Sequence, residues 1–327
     1  MTFEDVEAAR QKCDVQDKEL FKKRRKVIFV ASAIVFPLEI IIFLFFFFKE
    51  NPDIAITHFL LLLVPIVLVL AFELFFISVI VCLVTWKDTS VKTEHLIAYK
   101  RAYKAYFIQR QLAKFFTDIQ YYHDKGLDKS ILKESGLIDT GNIYKSNDLV
   151  RAKYKKTNFI QADVEIIERI EEHDKDGNEE VHYVTTFEGR YLVFEFPKKF
   201  DYKMTVSYYG HGSYYINPKT GRGLSLIETE SPNFNKHFLV YAEDGFEAFY
   251  ILTPDILDKI EKLGEKYKNA LSLIFSNNRL YVGLNDGNDT FEPPHPSEPI
   301  NEKEEEQKII KDIELITDLV DSLKLDR

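Results

Sequence analysis

Two acids stand inside long apolar runs. Glu39 lies within Val27–Phe48 and Glu73 within Ile54–Trp86. An ionisable side chain deep in such a helix costs at least ~2.5 kcal/mol when it faces lipid, so each acid must face protein, water or a partner. That placement suits a proton or cation path. It equally suits acids that stay protonated and hydrogen-bonded, gluing helices together, because neither run holds a lysine or arginine to pair with them.

The other polar candidates are scattered. Lys219 and Arg222 sit in the turn Pro218-Lys219-Thr220-Gly221-Arg222-Gly223, where two cations could meet an anion. The turn is not a phosphate loop, since neither it nor Gly210-His211-Gly212-Ser213 carries the required glycine spacing ahead of a helix. Asp174-Lys175-Asp176-Gly177-Asn178 looks like a fragment of a calcium loop, but it lacks the third acid and the closing bidentate glutamate and reads as a hairpin turn. Glu171, His173, Glu180 and His182 flank that turn as ordinary cross-strand polar pairs. No nucleophile, base and orienting group recur together in the pattern of a catalytic set, so an enzyme is the weaker expectation. Only two cysteines occur, Cys13 and Cys82, which excludes a disulfide framework and a CxxC-type zinc site. No metal and no cofactor is expected.

These residues depend on the elements that place them. Val27–Phe48 is 22 residues, about 33 Å as a helix, and Ile54–Trp86 is 33 residues, with a possible kink at Pro65. Together they predict a transmembrane hairpin with spans of about 27–48 and 57–86. Lys22–Lys26 precedes the first run, and residues 87–114 carry seven basic residues against two acids. The positive-inside rule then puts both termini in the cytoplasm of a multi-pass protein of the inner or plasma membrane.

Residues 1–26 predict a cytoplasmic helix capped by Thr2 and Asp5, with a thin stripe of Phe3, Val6, Cys13 and Leu20. Residues 87–126 read as a juxtamembrane amphipathic helix rich in tyrosine on one face. From about Leu149 the period changes to two, and residues 127–292 predict an α+β domain. Long strands lie over Thr157–Arg169 and Val181–Phe196, a hairpin over Leu271–Leu284, and helix starts at Ser231-Pro232 and Thr253-Pro254. Residues 293–327 form a linker and a last amphipathic helix marked by Ile309, Ile313, Ile316, Val320 and Leu323. The predicted fold is thus an N-terminal two-span transmembrane hairpin plus an α+β cytoplasmic domain, its largely antiparallel sheet flanked by long amphipathic helices. The formal net charge of −9 argues against nucleic acid as the main partner.

Glu230–Phe238, with its acid-Ser-Pro-x-Phe-x-Lys-x-Phe pattern, is followed by Val240–Asp244 and by Ala248–Pro254, which reads Ala-Phe-Tyr-Ile-Leu-Thr-Pro. This run, with Phe291-Glu292-Pro293 further on, resembles a bacterial membrane protein family known as domain of unknown function 3137. The resemblance covers nearly the whole chain. Phe249 stands where an arginine is common in that family, which puts any charge-dependent role there in doubt. The resemblance implies a membrane-anchored domain without an established activity, often accompanied by LemA-type membrane proteins, and it carries over no catalytic residue.

The expected function is a membrane-anchored interaction or scaffold domain, its partners the lipid bilayer and either a membrane protein, LemA-type by the resemblance, or further copies of itself. The alternatives are a homo-oligomeric proton- or cation-coupled assembly using Glu39 and Glu73, and an enzyme of unidentified reaction.

Overall fold

The computed structural model describes residues 1–50, 76, 93–135, 137–173, 179–196, 202–208 and 223–326. The chain divides into two compact units. One comprises Met1–Ala102 with Pro294–Ile300, the other Tyr103–Pro293 with Asn301–Arg327.

In the first unit, helix α1 spans Phe3–Glu50. It opens on the expected capping box: Thr2 donates its backbone N–H to Asp5 Oδ2 at 2.7 Å, and Asp5 N–H donates back to Thr2 Oγ1 at 3.3 Å. Val6, Cys13 and Leu20 recur every seventh residue and are buried. Arg10, on the same seam, is held by Glu7 at 2.6 Å and donates to the Pro296 carbonyl. Helix α2 covers residues 93–103, and its Tyr99 donates to the Pro294 carbonyl at 3.1 Å.

The expected two-span hairpin is corrected by this structure. Among the described residues, no helix is long and apolar enough to cross a membrane. The expected tail 1–26 and the run Val27–Phe48 instead fall in one continuous helix, α1, because Lys22–Lys26 are good helix formers with no glycine to stop it. The second expected span, 57–86, lies outside the described residues apart from Phe76. The multi-pass membrane localisation with both termini cytoplasmic rested on that hairpin and is corrected with it.

The second unit is built on a nine-stranded sheet whose strand pairs are all antiparallel. The strands are β1 (Thr117–Tyr122), β2 (Ile143–Tyr154), β3 (Thr157–His173), β4 (Glu179–Glu195), β5 (Met204–Tyr208), β6 (Ser225–Ile227), β7 (Phe238–Ala242), β8 (Leu271–Ser276) and β9 (Arg279–Leu284). Their order across the sheet is β1-β2-β3-β4-β9-β8-β5-β7-β6. The alternating runs of the sequence become β3 and β4, 17 residues each. Gly189 in β4 has φ +149, and a Cβ there would stand 2.1 Å from the Leu284 carbonyl oxygen of β9, so only glycine lets the strands close at this point.

Helices complete the unit. A π-helical turn, Lys104–Ile108, leads into α3 (Gln109–Phe115). The helix stops there and β1 follows, where the tyrosine-rich stripe predicts helix to about Gly126; Thr117-Asp118-Ile119-Gln120-Tyr121-Tyr122 has the β-branched and aromatic content of a strand. Then come α4 (Lys129–Lys133), α5 (Pro232–His237), α6 (Gly245–Ile251), α7 (Pro254–Lys266) and α8 (Glu302–Leu323). Ser231 caps α5 through Phe234 N–H at 3.2 Å. All five marker residues of the last helix, Ile309 to Leu323, are buried.

The two faces of the sheet differ. Alternation along β3 sends Ala162, Val164 and Ile166 to one side, where they join Leu132, Leu137, Phe187 and Val193 in an apolar core. Gln161 and Asp163 point to the other. Arg190, opposite Asp163 on β4, donates to the Asp312 carbonyl of α8 at 2.5 Å, so α8 covers this second face.

Candidate functional site

The second face carries a buried polar cluster drawn from five places in the sequence. Lys104 opens the π-helical turn, and such turns are enriched at functional sites. Its ammonium lies 2.6 Å from Asp148 Oδ2 and 2.8 Å from Glu292 Oε1, and its side chain is almost fully buried. Asp148 sits where the β2–β3 register shifts between Asn147 and Val150, with φ 53. This bulge, which an aspartate tolerates in the left-handed region, re-aims the carboxylate. Its Oδ1 accepts from Tyr121 of β1 at 2.5 Å, and its Oδ2 also accepts from Asn147 Nδ2 at 2.9 Å.

Asp163 of β3 accepts the Thr290 backbone N–H at 3.0 Å on Oδ2. Its Oδ1 is buried without a hydrogen-bond partner. Asp289 lies in the loop after β9 and is exposed; Asn147 Nδ2 reaches it at 3.3 Å. That loop is anchored by the Gly287 N–H on the Glu188 carbonyl at 2.9 Å and by the buried ring of Phe291, edge-on to Tyr121.

The electrostatics follow from burial. Burial pulls the Lys104 ammonium down, but Asp148 and Glu292 outweigh it, and its pKa ends above the ordinary lysine value. Burial pushes Asp148 up, with Lys104 and Tyr121 pulling the other way. Asp163 is pushed well above the carboxylate range by burial first and then by the charge of Asp148, against the Thr290 hydrogen bond. Burial and Asp148 likewise raise the Tyr121 phenol, which stays neutral. The arrangement can hold charge in a fixed geometry, and Asp148, Asp163 and Asp289 present oxygens within 4.8 Å of one another.

None of the candidate site residues read from the sequence belongs to this cluster, although Glu292, in the Phe291-Glu292-Pro293 motif, does. Glu39 falls in α1, with its side chain outside the described residues. Glu73, Lys219, Arg222 and His211 lie outside them too, as does the turn 174–178. The register places Glu171 opposite Val181 and His182 opposite Ile170, so Glu171 and His182 occupy different faces of the hairpin. Glu180 lies 3.7 Å from His182 at the exposed surface. His237 stacks on Tyr208. The signal that could have found the cluster was Asp163 itself, a charge inside Phe159-Ile160-Gln161-Ala162-Asp163-Val164, where the strand alternation buries both neighbours.

A second feature lies at the surface. Asp244 caps α6 by accepting the N–H groups of Phe246 and Glu247. Ala248 and Ile251 are buried, and the opposite side shows Phe246, Phe249 and Tyr250 at i, i+3 and i+4. Phe246 is 83% exposed. Strand β6, at one end of the sheet, lies beside the start of this helix, with Ile227 Cδ1 3.3 Å from where a Cβ on Gly245 would be, and exposes Leu226. Glu243, Asp244 and Glu247 surround the aromatics with exposed acids.

Residues 185–325 match the family described as "Protein of unknown function (DUF3137)", which bears out the resemblance over that segment and not over the whole chain. Neither the bacterial nor the membrane part of the expectation is shown by it. No curated protein matches the chain. The crystal structure of the mycobacterial trehalose monomycolate transport factor A matches with 9% identity and a TM-score of 0.36, over 68% of this chain and 94% of that one.

Proposed function

We propose that this chain, whose residues 185–325 carry the domain of unknown function 3137, acts as a protein-interaction domain that docks its partner on the aromatic face of α6. The observation that carries this reading is the exposure of Phe246, Phe249 and Tyr250 on one side of a short helix whose other side is buried. Aromatic side chains bring large contact area at small entropic cost and are enriched at interface centres, and Phe246 is 83% exposed here. The acids around them, on a chain of net charge −9, favour a partner segment with apolar side chains flanked by lysine or arginine. A LemA-type protein, named by the family resemblance, is one candidate to carry such a segment.

The test places a photo-crosslinking phenylalanine at Phe246 in the full chain and irradiates living cells. A discrete adduct with one second protein, lost when Tyr250→Asp is added, is the expected result. Adducts formed only with further copies of the chain, or no adduct at all, would overturn the reading. Phe246→Ser serves as the fold control, because so exposed a side chain changes stability by no more than ~0.5 kcal/mol.

A further inference from the structure

We propose that Asp148, Asp163 and Asp289 form a binding site for a hard divalent cation of the Ca2+ type. One carboxylate oxygen from each lies within 4.8 Å of the other two. Oxygens bonded at ~2.3–2.6 Å to a shared ion stand roughly 3.3–5 Å apart, so a single cation can touch all three. An all-carboxylate donor set favours hard cations, which take oxygen ligands, over the softer metals drawn to cysteine and histidine.

The independent observation is the orphaned Asp163 Oδ1. Asp163 is 5% exposed, its Oδ2 is taken by Thr290, and its Oδ1 has no hydrogen-bond partner. Arg190, opposite it on β4, directs Nη1 to the Asp312 carbonyl instead. A cation resolves it directly.

Charge points the same way. Four carboxylates, Asp148, Asp163, Asp289 and Glu292, meet two cations, the Lys104 ammonium, which bonds two of them, and the Arg190 guanidinium opposite Asp163. Asn147 Nδ2 ties Asp148 to Asp289, fixing the separation of two ligands. Lys104 keeps Glu292 as a partner when an ion shares Asp148, so the buried ammonium is not stranded. Exposed Asp289 supplies the route of entry. Water completes the coordination shell, as is usual for such ions.

Isothermal titration calorimetry of the EDTA-treated full chain with CaCl2, and separately with MnCl2, tests the site. Saturable binding near one ion per chain is expected, together with a rise in melting temperature on adding the same salt. Asp289→Asn, an exposed change that leaves the fold intact, should weaken binding at least tenfold, and Asp163→Asn should abolish it. A parallel readout is Tb3+ luminescence sensitised by the adjacent Tyr121, which Ca2+ should quench by displacement and Tyr121→Phe should dim. No saturable heat at millimolar concentration of either ion overturns the site. So does binding that survives Asp289→Asn and Asp163→Asn unchanged.

Discussion

The two faces of one sheet carry opposite solutions to burial. On the first, Ala162, Val164 and Ile166 of β3 meet Phe187, Leu132 and Leu137 with no charge among them. On the second, the alternate residues of the same strand are Phe159, Gln161 and Asp163, equally buried. Burying apolar surface is favourable in proportion to area. Burying a charge is costly unless it is paired and hydrogen-bonded, and replacing such a pair by apolar side chains is often neutral or stabilising. The second face also buries Phe159, Leu192, Phe194 and Val282, so apolar packing on both faces accounts for the fold, and the charge network is an addition that the fold does not need. That contrast makes the Lys104–Asp148–Asp163 cluster a place to look for function.

The largest effect is expected on the apolar side. Phe187 is fully buried in the core, and Phe187→Ala should cost ~3–5 kcal/mol through lost transfer energy and the cavity left behind. Urea unfolding followed by circular dichroism reads this as a lower midpoint at an unchanged slope. A cost below ~1 kcal/mol would mean that this face is loosely packed and that the contrast is misdrawn.

The polar side should respond in a different way. Lys104→Met strands Asp148 and should also cost ~3–5 kcal/mol, because it leaves a buried charge unpaired. Adding Asp148→Asn should return much of that loss, so the double variant should be more stable than the sum of the two single changes predicts, by ~0.5–3 kcal/mol. No such recovery is expected when Phe187→Ala is combined with either change, since it acts on the opposite face. Strict additivity of Lys104→Met and Asp148→Asn would show that the 2.6 Å contact carries no coupling.

Much of the sheet was legible because its alternation is driven by burial. Thr157–Arg169, Val181–Phe196 and the Leu271–Leu284 hairpin return as β3, β4 and β8–β9, and the 4,3,4,3 spacing of Ile309 to Leu323 returns as α8. Helix starts were legible where cap chemistry is local: Ser231 caps as read, whereas at Thr253 proline fixes the helix start without a side-chain cap bond. The hydrophobic runs of the N-terminal region misled, because an apolar stretch and the charged helix before it join without a break in α1. Beyond Asp163, the cluster was not legible, for another reason. Lys104, Tyr121, Asp148, Asp163 and Asp289 come together through the β2 bulge and the fold of the loop after β9, and no spacing in the chain records either.

The smallest expected effect is also the sharpest probe of the polar face. Burial raises the folded-state pKa of Asp163 well above its ordinary value, and that of Asp148 in the same direction. The unfolded chain releases these protons near pH 4, while the folded chain still holds them above it. Between the two pKa values the native state binds more protons than the unfolded state, so stability is full below about pH 4 and falls as pH rises. Asparagine cannot titrate. In EDTA, Asp163→Asn should therefore match the unmodified chain at pH 3.5, lose less stability on the way to pH 7, and melt higher there. Parallel melting curves across that range would mean that Asp163 is ionised in the folded chain and balanced by a charge on its own side of the sheet.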